Sequence, residues 1–153
     1  MKTAKELFTP GAYRLRVRRT RTGRGLITEE AILKNACIIE YKGRPVSEAE
    51  QKADKGKYLF WNTDTTMING NVPGNIAKYI NHACKPNCEV DLYKKRIYIF
   101  AKRNIKAGEE LTYDYGPEYF DKHIGARGCL CATCAQDRKN SRAATEGAPE
   151  ANP

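Results

Sequence analysis

At 153 residues and a formal charge of +9, the chain is long enough to bury the core of one domain without covalent staples, and basic enough to admit a nucleic-acid partner. Its longest apolar runs are about five residues, which excludes a membrane-spanning helix of ~20, and Met1 to Arg19 holds basic residues without the apolar stretch of a secretory signal. The chain is therefore expected in the cytosol or nucleus, or on an export route that leaves no such mark. There its six cysteines read as metal ligands or catalytic thiols rather than disulfides.

Residues 1–12 read as a short N-terminal segment turning at Thr9-Pro10-Gly11. Tyr13 to Val17 alternates apolar and basic residues, the pattern of a half-exposed strand. It opens the one dense charge cluster, Arg14, Arg16, Arg18, Arg19, Arg21 and Arg24. That cluster is either a solvated basic edge or a surface facing nucleic acid or chromatin. Thr20 to Gly25 reads as a polar loop, in which Gly23-Arg24-Gly25 is an ordinary turn or a place where backbone approaches a ligand closely. Ala36 to Tyr41 is a buried strand with Cys37 as core packing, closed by a turn at Lys42 to Pro45. Ser47-Glu48-Ala49-Glu50 has the form of a capping box and predicts a helix from about 48 to 55. Short strands follow at Tyr58 to Trp61 and Met67 to Asn69. Glu89 to Tyr93 and Arg96 to Ala101 form a hairpin about Lys94-Lys95, with Tyr98 in the core, and a last strand spans Leu111 to Tyr115. Many short strands and frequent turns make this a mainly-β domain. The tail, 136–153, is polar and small; it buries too little apolar area to offset its ordering entropy and is expected to be disordered.

Two stretches hold most of the chemistry. Tyr79 to Cys88 places Asn81, His82 and Asn87 beside two thiols in a polar turn stopped by Pro86, a density of hydrogen-bonding groups beyond what turning requires. Glu110 to Gly116 carries Tyr113 and Tyr115 two residues apart, so both rings leave one face of a strand. Two phenols near an Asn-His pair suggest a small pocket. Further on, Cys129, Cys131 and Cys134 supply three close thiols; a tetrahedral zinc needs a fourth ligand, from Cys84, Cys88 or His123.

Together the two stretches resemble the paired signature of SET-domain protein lysine methyltransferases, NHSCxPN and ELxYDYG. Gly23-Arg24-Gly25 is similar to the family's opening GxG, Ile38 to Gly43 to its I-x-EYxG segment, and Gly74 to Cys84 to its GNIARFINHSC, with Ala83 at the usual serine. The resemblance covers residues 13 to 135. It implies a β-clip-like SET fold: small curved sheets around a threaded, knot-like C-terminal segment, with few short helices. It divides the chain into a SET domain at 13–116 and a post-SET zinc-binding segment at 117–135. Without the long cysteine-rich region that often precedes the domain, the chain looks like the minimal form of some bacterial and viral proteins. That implies a bacterial cytoplasm, or the nucleus and chromatin of its own or a host cell.

The resemblance further implies S-adenosyl-L-methionine as cofactor and a lysine in a histone or other basic protein as substrate. Tyr115 takes the position of the catalytic tyrosine, Tyr41 that of an aromatic lining the lysine channel, and Tyr113 that of the residue limiting how many methyl groups fit. A tyrosine there favours monomethylation. Asn81 and His82 match the pair holding the cofactor, Tyr58 and Lys78 match further contacts, and Gly23, Arg24 and Gly25 would contribute backbone. The family's fourth zinc ligand maps onto Cys84, joining Cys129, Cys131 and Cys134, although here two residues rather than four separate the last two cysteines. Two rival functions stay open: a catalytically silent SET-like module binding a lysine-bearing peptide or nucleic acid, and a zinc-dependent nucleic-acid binder using the arginine cluster.

Overall fold

β1 (Leu15–Thr20) and β2 (Gly23–Thr28) form an antiparallel hairpin in the computed structural model, which describes residues 1–53, 58–116, 129, 131–136 and 139–140. Leu15 and Val17 pack against the core while Arg16 and Arg18 stand in solvent, as their alternation requires. The loop predicted from Thr20 to Gly25 is shorter than expected. Thr20 pairs with Gly23 across a two-residue turn, and Gly23 takes a φ of 116° that glycine alone adopts without strain. Arg14 pairs with Glu30 at 3.3 Å, and Arg16 and Arg18 with Glu29 at 2.8 and 3.8 Å, so part of the arginine cluster is neutralised within the hairpin.

Ahead of β1 lies a helix that the turn-based reading of residues 1–12 missed, α1 (Ala4–Leu7). Thr3 and Glu6 cap it reciprocally: the Glu6 N–H donates to Thr3 Oγ1 at 3.3 Å and the Thr3 N–H to Glu6 Oε2 at 2.7 Å. Phe8 then stacks on Tyr93, ring centroids 4.7 Å apart, and meets Tyr98 and Phe100 edge-on.

The main sheet is antiparallel in the order β3 (Cys37–Tyr41), β9 (Arg96–Ala101), β8 (Cys88–Tyr93). It buries Ile38, Ile97, Ile99 and Cys88 against Leu26, Ile32, Ile80, Ile105 and Leu111. Cys37 and Tyr98 are core residues, as expected. The β8–β9 turn falls at Lys94-Lys95, both with positive φ, the geometry that matches strand twist in a two-residue hairpin.

A second sheet takes the order β4 (Arg44–Pro45), β6 (Met67–Asn69), β5 (Leu59–Trp61). Within its β4–β5 connection lies α2 (Glu48–Ala53), where Ser47 Oγ accepts the Glu50 N–H at 3.2 Å. The Glu50 carboxylate turns to Arg44 at 3.0 Å, so half of the predicted capping box forms. The predicted continuation to 55 lies outside the described residues. So do 117–128, with His123, and most of the tail, of which Gln136, Lys139 and Asn140 are helical.

A 3₁₀ turn (Ile76–Tyr79) leads into β7 (Asn81–His82), which pairs in parallel with β10 (Thr112–Tyr113). Parallel neighbours need a crossover, and here the intervening chain builds the β8–β9 hairpin before returning. The returning segment runs between two earlier ones. Glu110 bridges Ile27, the Leu111 N–H donates to the Leu26 carbonyl at 2.8 Å, and the next residues pair with β7. Where the sequence predicts a strand from Leu111 to Tyr115 and a polar turn from Tyr79 to Cys88, the ladder is two residues long on each side.

Candidate active site

Asn87 locks the returning segment. Its buried side chain donates to the Glu110 carbonyl at 2.8 Å and accepts the Thr112 N–H at 2.9 Å, while its own N–H donates to Thr112 Oγ1 at 3.3 Å. A side-chain amide thus supplies the ladder bonds that a third strand would supply.

β7 and β10 then place His82 against Tyr115. The Tyr115 N–H donates to His82 Nδ1 at 3.1 Å, and the Tyr115 hydroxyl donates to the Ile80 carbonyl. An imidazole that accepts at Nδ1 while neutral carries its proton on Nε2, and that atom lies 3.5 Å from Cys84 Sγ. The His82 side chain is 6% exposed; burial pushes its pKa below the ordinary imidazole range, against the opposing pull of the Asp114 carboxylate 3.7 Å away.

Tyr113 and Tyr115 lie side by side with ring centroids 4.7 Å apart. Phe60 stands 6.0 Å from Tyr113 and 5.1 Å from Tyr41, so the three predicted tyrosines form one aromatic row through a phenylalanine that the sequence reading passed over. Tyr41 is fixed from two sides. Its hydroxyl donates to the Tyr58 carbonyl at 3.0 Å, and Gly70 packs so close that a Cβ there would strike the ring.

The expected cofactor residues gather beside this row. Lys78 Nζ lies 5.9 Å from the Tyr58 ring centre and 5.3 Å from that of Tyr79, and donates to Asn71 Oδ1 at 3.2 Å. Arg24 Cζ lies 5.9 Å from the Tyr79 ring centre, and the Arg24 carbonyl accepts from Asn81 Nδ2 at 2.9 Å. Tyr79 was not among the expected contacts; its one sequence signal is its place two residues before Asn81.

The Sγ atoms of Cys84, Cys129, Cys131 and Cys134 lie within 4.8 Å of one another. Zinc–sulfur bonds of 2.3 Å in a tetrahedron put sulfurs about 3.8 Å apart; Cys84 lies 3.8 Å from Cys129 and 3.5 Å from Cys134. The short Cys131–Cys134 spacing works because Cys134 sits in the helical turn at 132–136 and its N–H donates back to Cys131 Sγ at 3.5 Å. Burial and the neighbouring thiols hold the Cys84 thiol far above its ordinary range. Burial acts to raise Cys131 too, but the surrounding N–H and thiol donors draw it down to about 6. Four thiols this close do not all ionise without a cation among them, which is what the donor set suits. Cys88 is elsewhere: it is buried in the main core, its thiol donates to Asn87 Oδ1 at 3.3 Å, and burial pushes its pKa to about 12.

The SET domain family profile matches residues 23–116. A histone-lysine N-methyltransferase, H3 lysine-4 specific, from Chaetomium globosum is 40% identical over 127 residues, covering 72% of this chain and 12% of that protein. Its namesake from Neurospora crassa is 41% identical over 127 residues, covering 72% and 9%. The Saccharomyces cerevisiae protein of the same name is 38% identical over 120 residues, covering 70% and 11%. The chain thus spans about a tenth of the length of these curated relatives. Its match to the family profile, its small antiparallel sheets and its C-terminal cysteine cluster agree: the chain belongs to the SET-domain family.

Proposed function

We propose that this domain transfers a methyl group from S-adenosyl-L-methionine to the ε-amine of a lysine in a histone, with the H3 tail as its first substrate and chromatin as its place of action. The observation that carries this is the aromatic row Tyr41, Phe60, Tyr113 and Tyr115, which meets His82 at Tyr115, with Asn81 next to His82 in the strand paired to Thr112 and Tyr113. The names of the relatives supply the substrate class.

When bound, the cofactor supplies an electrophilic methyl on a cationic sulfonium. The residues must deliver a neutral amine to it in line and exclude water. Losing a lysine proton at pH 7 costs roughly 4 to 5 kcal/mol from an unperturbed pKa near 10.4. A channel walled by Tyr41, Phe60 and Tyr113 desolvates the ammonium and lowers that cost. The Tyr115 proton is committed to the Ile80 carbonyl, so the phenol oxygen offers lone pairs to an N–H of the amine. Asn81, His82, Tyr58 and Lys78, with the backbone of Gly23, Arg24 and Gly25, hold the cofactor. Tyr113 restricts the channel and favours a single methyl group. Zinc held by Cys84, Cys129, Cys131 and Cys134 ties the C-terminal segment to the strand that carries His82.

The test is mass spectrometry of histone H3 peptides and intact histones after incubation with the zinc-loaded protein and S-adenosyl-L-methionine. A mass gain of one methyl on a lysine supports the reading. Peptide binding without transfer, or methylation confined to non-histone basic proteins, overturns it.

A further inference from the structure

Three separated motifs of the chain meet at one carboxylate. Glu110 Oε1 accepts from Asn81 Nδ2 at 2.7 Å, and the same nitrogen donates to the Arg24 carbonyl at 2.9 Å. Both partners are pure acceptors, so chemistry alone decides which end of the Asn81 amide faces them. Both N–H bonds of Asn81 are committed inward, and no donor among the described residues reaches its Oδ1. Gly25 completes the arrangement: a Cβ there would strike the Glu110 carboxylate and the Thr20 methyl. The second glycine of Gly23-Arg24-Gly25 is thus a space for Glu110, whereas the first serves the turn.

We propose that Glu110 is a positioning residue of the cofactor site, holding the Asn81 amide so that it presents only an acceptor and thereby selects the ammonium end of the cofactor. The proposal rests on the reading of Asn81 as a cofactor contact. An amide free to rotate would offer N–H as readily as oxygen to an incoming group. A fixed acceptor with a carboxylate behind it favours a cationic N–H donor and repels a carboxylate. In the cofactor the α-ammonium is the group of that chemistry; the sulfonium has no N–H, and the adenine amine is uncharged.

Titration calorimetry of the zinc-loaded full chain tests this with two probes: S-adenosylhomocysteine, and 5′-methylthioadenosine, which lacks the amino-acid end. Glu110→Ala is expected to weaken S-adenosylhomocysteine about tenfold or more, while 5′-methylthioadenosine stays within about twofold. Glu110→Gln keeps an acceptor toward Asn81 and is expected to recover most of the loss. In steady state, the KM for cofactor rises in Glu110→Ala and that for peptide does not. Equal weakening of both probes, or undiminished binding of S-adenosylhomocysteine by Glu110→Ala, overturns the proposal. A measurement on the unaltered protein guards against a variant that fails to fold: the Asn81 side-chain amide protons exchange slowly with solvent before and after S-adenosylhomocysteine binds, and fast exchange in the free protein overturns it too. Asn81→Ala with both probes bound at full strength sinks the underlying cofactor reading instead.

Discussion

Tyr115 is held at both ends by one short segment: His82 Nδ1 accepts its N–H at 3.1 Å, and the Ile80 carbonyl accepts its hydroxyl. The ring therefore has its position and its proton set by residues 80–82, and the imidazole that sets it reaches Cys84 with its other nitrogen. The position of the phenol and order at the cysteine cluster are mechanically joined.

Replacing the two neighbouring tyrosines separates rate from product. Tyr115→Phe removes the oxygen proposed to meet the amine, and kcat on an H3 peptide is expected to fall about 10²- to 10³-fold. Tyr113→Phe keeps the ring and frees volume beside Tyr115; di- or trimethyl product is expected to rise while turnover persists. Mass spectrometry of the product ladder decides, and an unchanged ladder removes Tyr113 from its assigned role.

Zinc content distinguishes the cysteines. One zinc per chain is expected by elemental analysis, with chelation abolishing methyl transfer as the Cys84 and C-terminal thiolates part. Cys84→Ser is expected to reduce the zinc content, whereas Cys88→Ser leaves it intact and lowers stability by about 1 kcal/mol, since it puts a smaller, more polar group in a buried site where Asn87 Oδ1 is the acceptor at hand. Full zinc in Cys84→Ser together with loss in Cys88→Ser would reverse the assignment.

Asn87→Ala deletes a clip without touching the aromatic row. It orphans the Thr112 N–H and the Glu110 carbonyl, at a cost of roughly 2 to 4 kcal/mol for two part-buried backbone groups. Denaturant titration reads the loss directly. A midpoint within error of the wild type would show that water replaces the amide freely.

Glu109 gives the stability an acid limb. Arg103 grips its carboxylate at 2.9 and 3.2 Å and holds its pKa below the usual range; burial opposes this, and the Lys106 N–H at 2.6 Å adds to it. A folded pKa below the unfolded one means stabilisation that is present above the unfolded value and lost as pH falls through the folded value. The melting temperature is expected to drop below about pH 4. Glu109→Gln should start lower at neutral pH and decline less steeply. Parallel slopes for both proteins would place the acid sensitivity elsewhere.

Much of this site was legible in local pattern. Alternation marked β1, and short apolar runs bounded by turn residues marked β6 and the hairpin about Lys94-Lys95, because side-chain period and turn chemistry are properties of neighbouring residues. Spacing grouped Cys129, Cys131 and Cys134, and the paired signatures named Asn81, His82, Tyr113 and Tyr115. Asn87 stood out for its hydrogen-bonding capacity but not for its partners, and Glu110 stayed hidden inside its motif, since nothing local shows that an asparagine stands in for a strand or that a carboxylate reaches an amide 29 residues earlier. Phe60 looked like an ordinary strand residue and Gly70 carried no local signal until Tyr41 lay against them. Cys84 was separated from Cys88 by burial, which depends on the whole packed core. Local order is written residue by residue; which polar groups must satisfy one another is decided when water is excluded between distant segments, and only the folded chain records that.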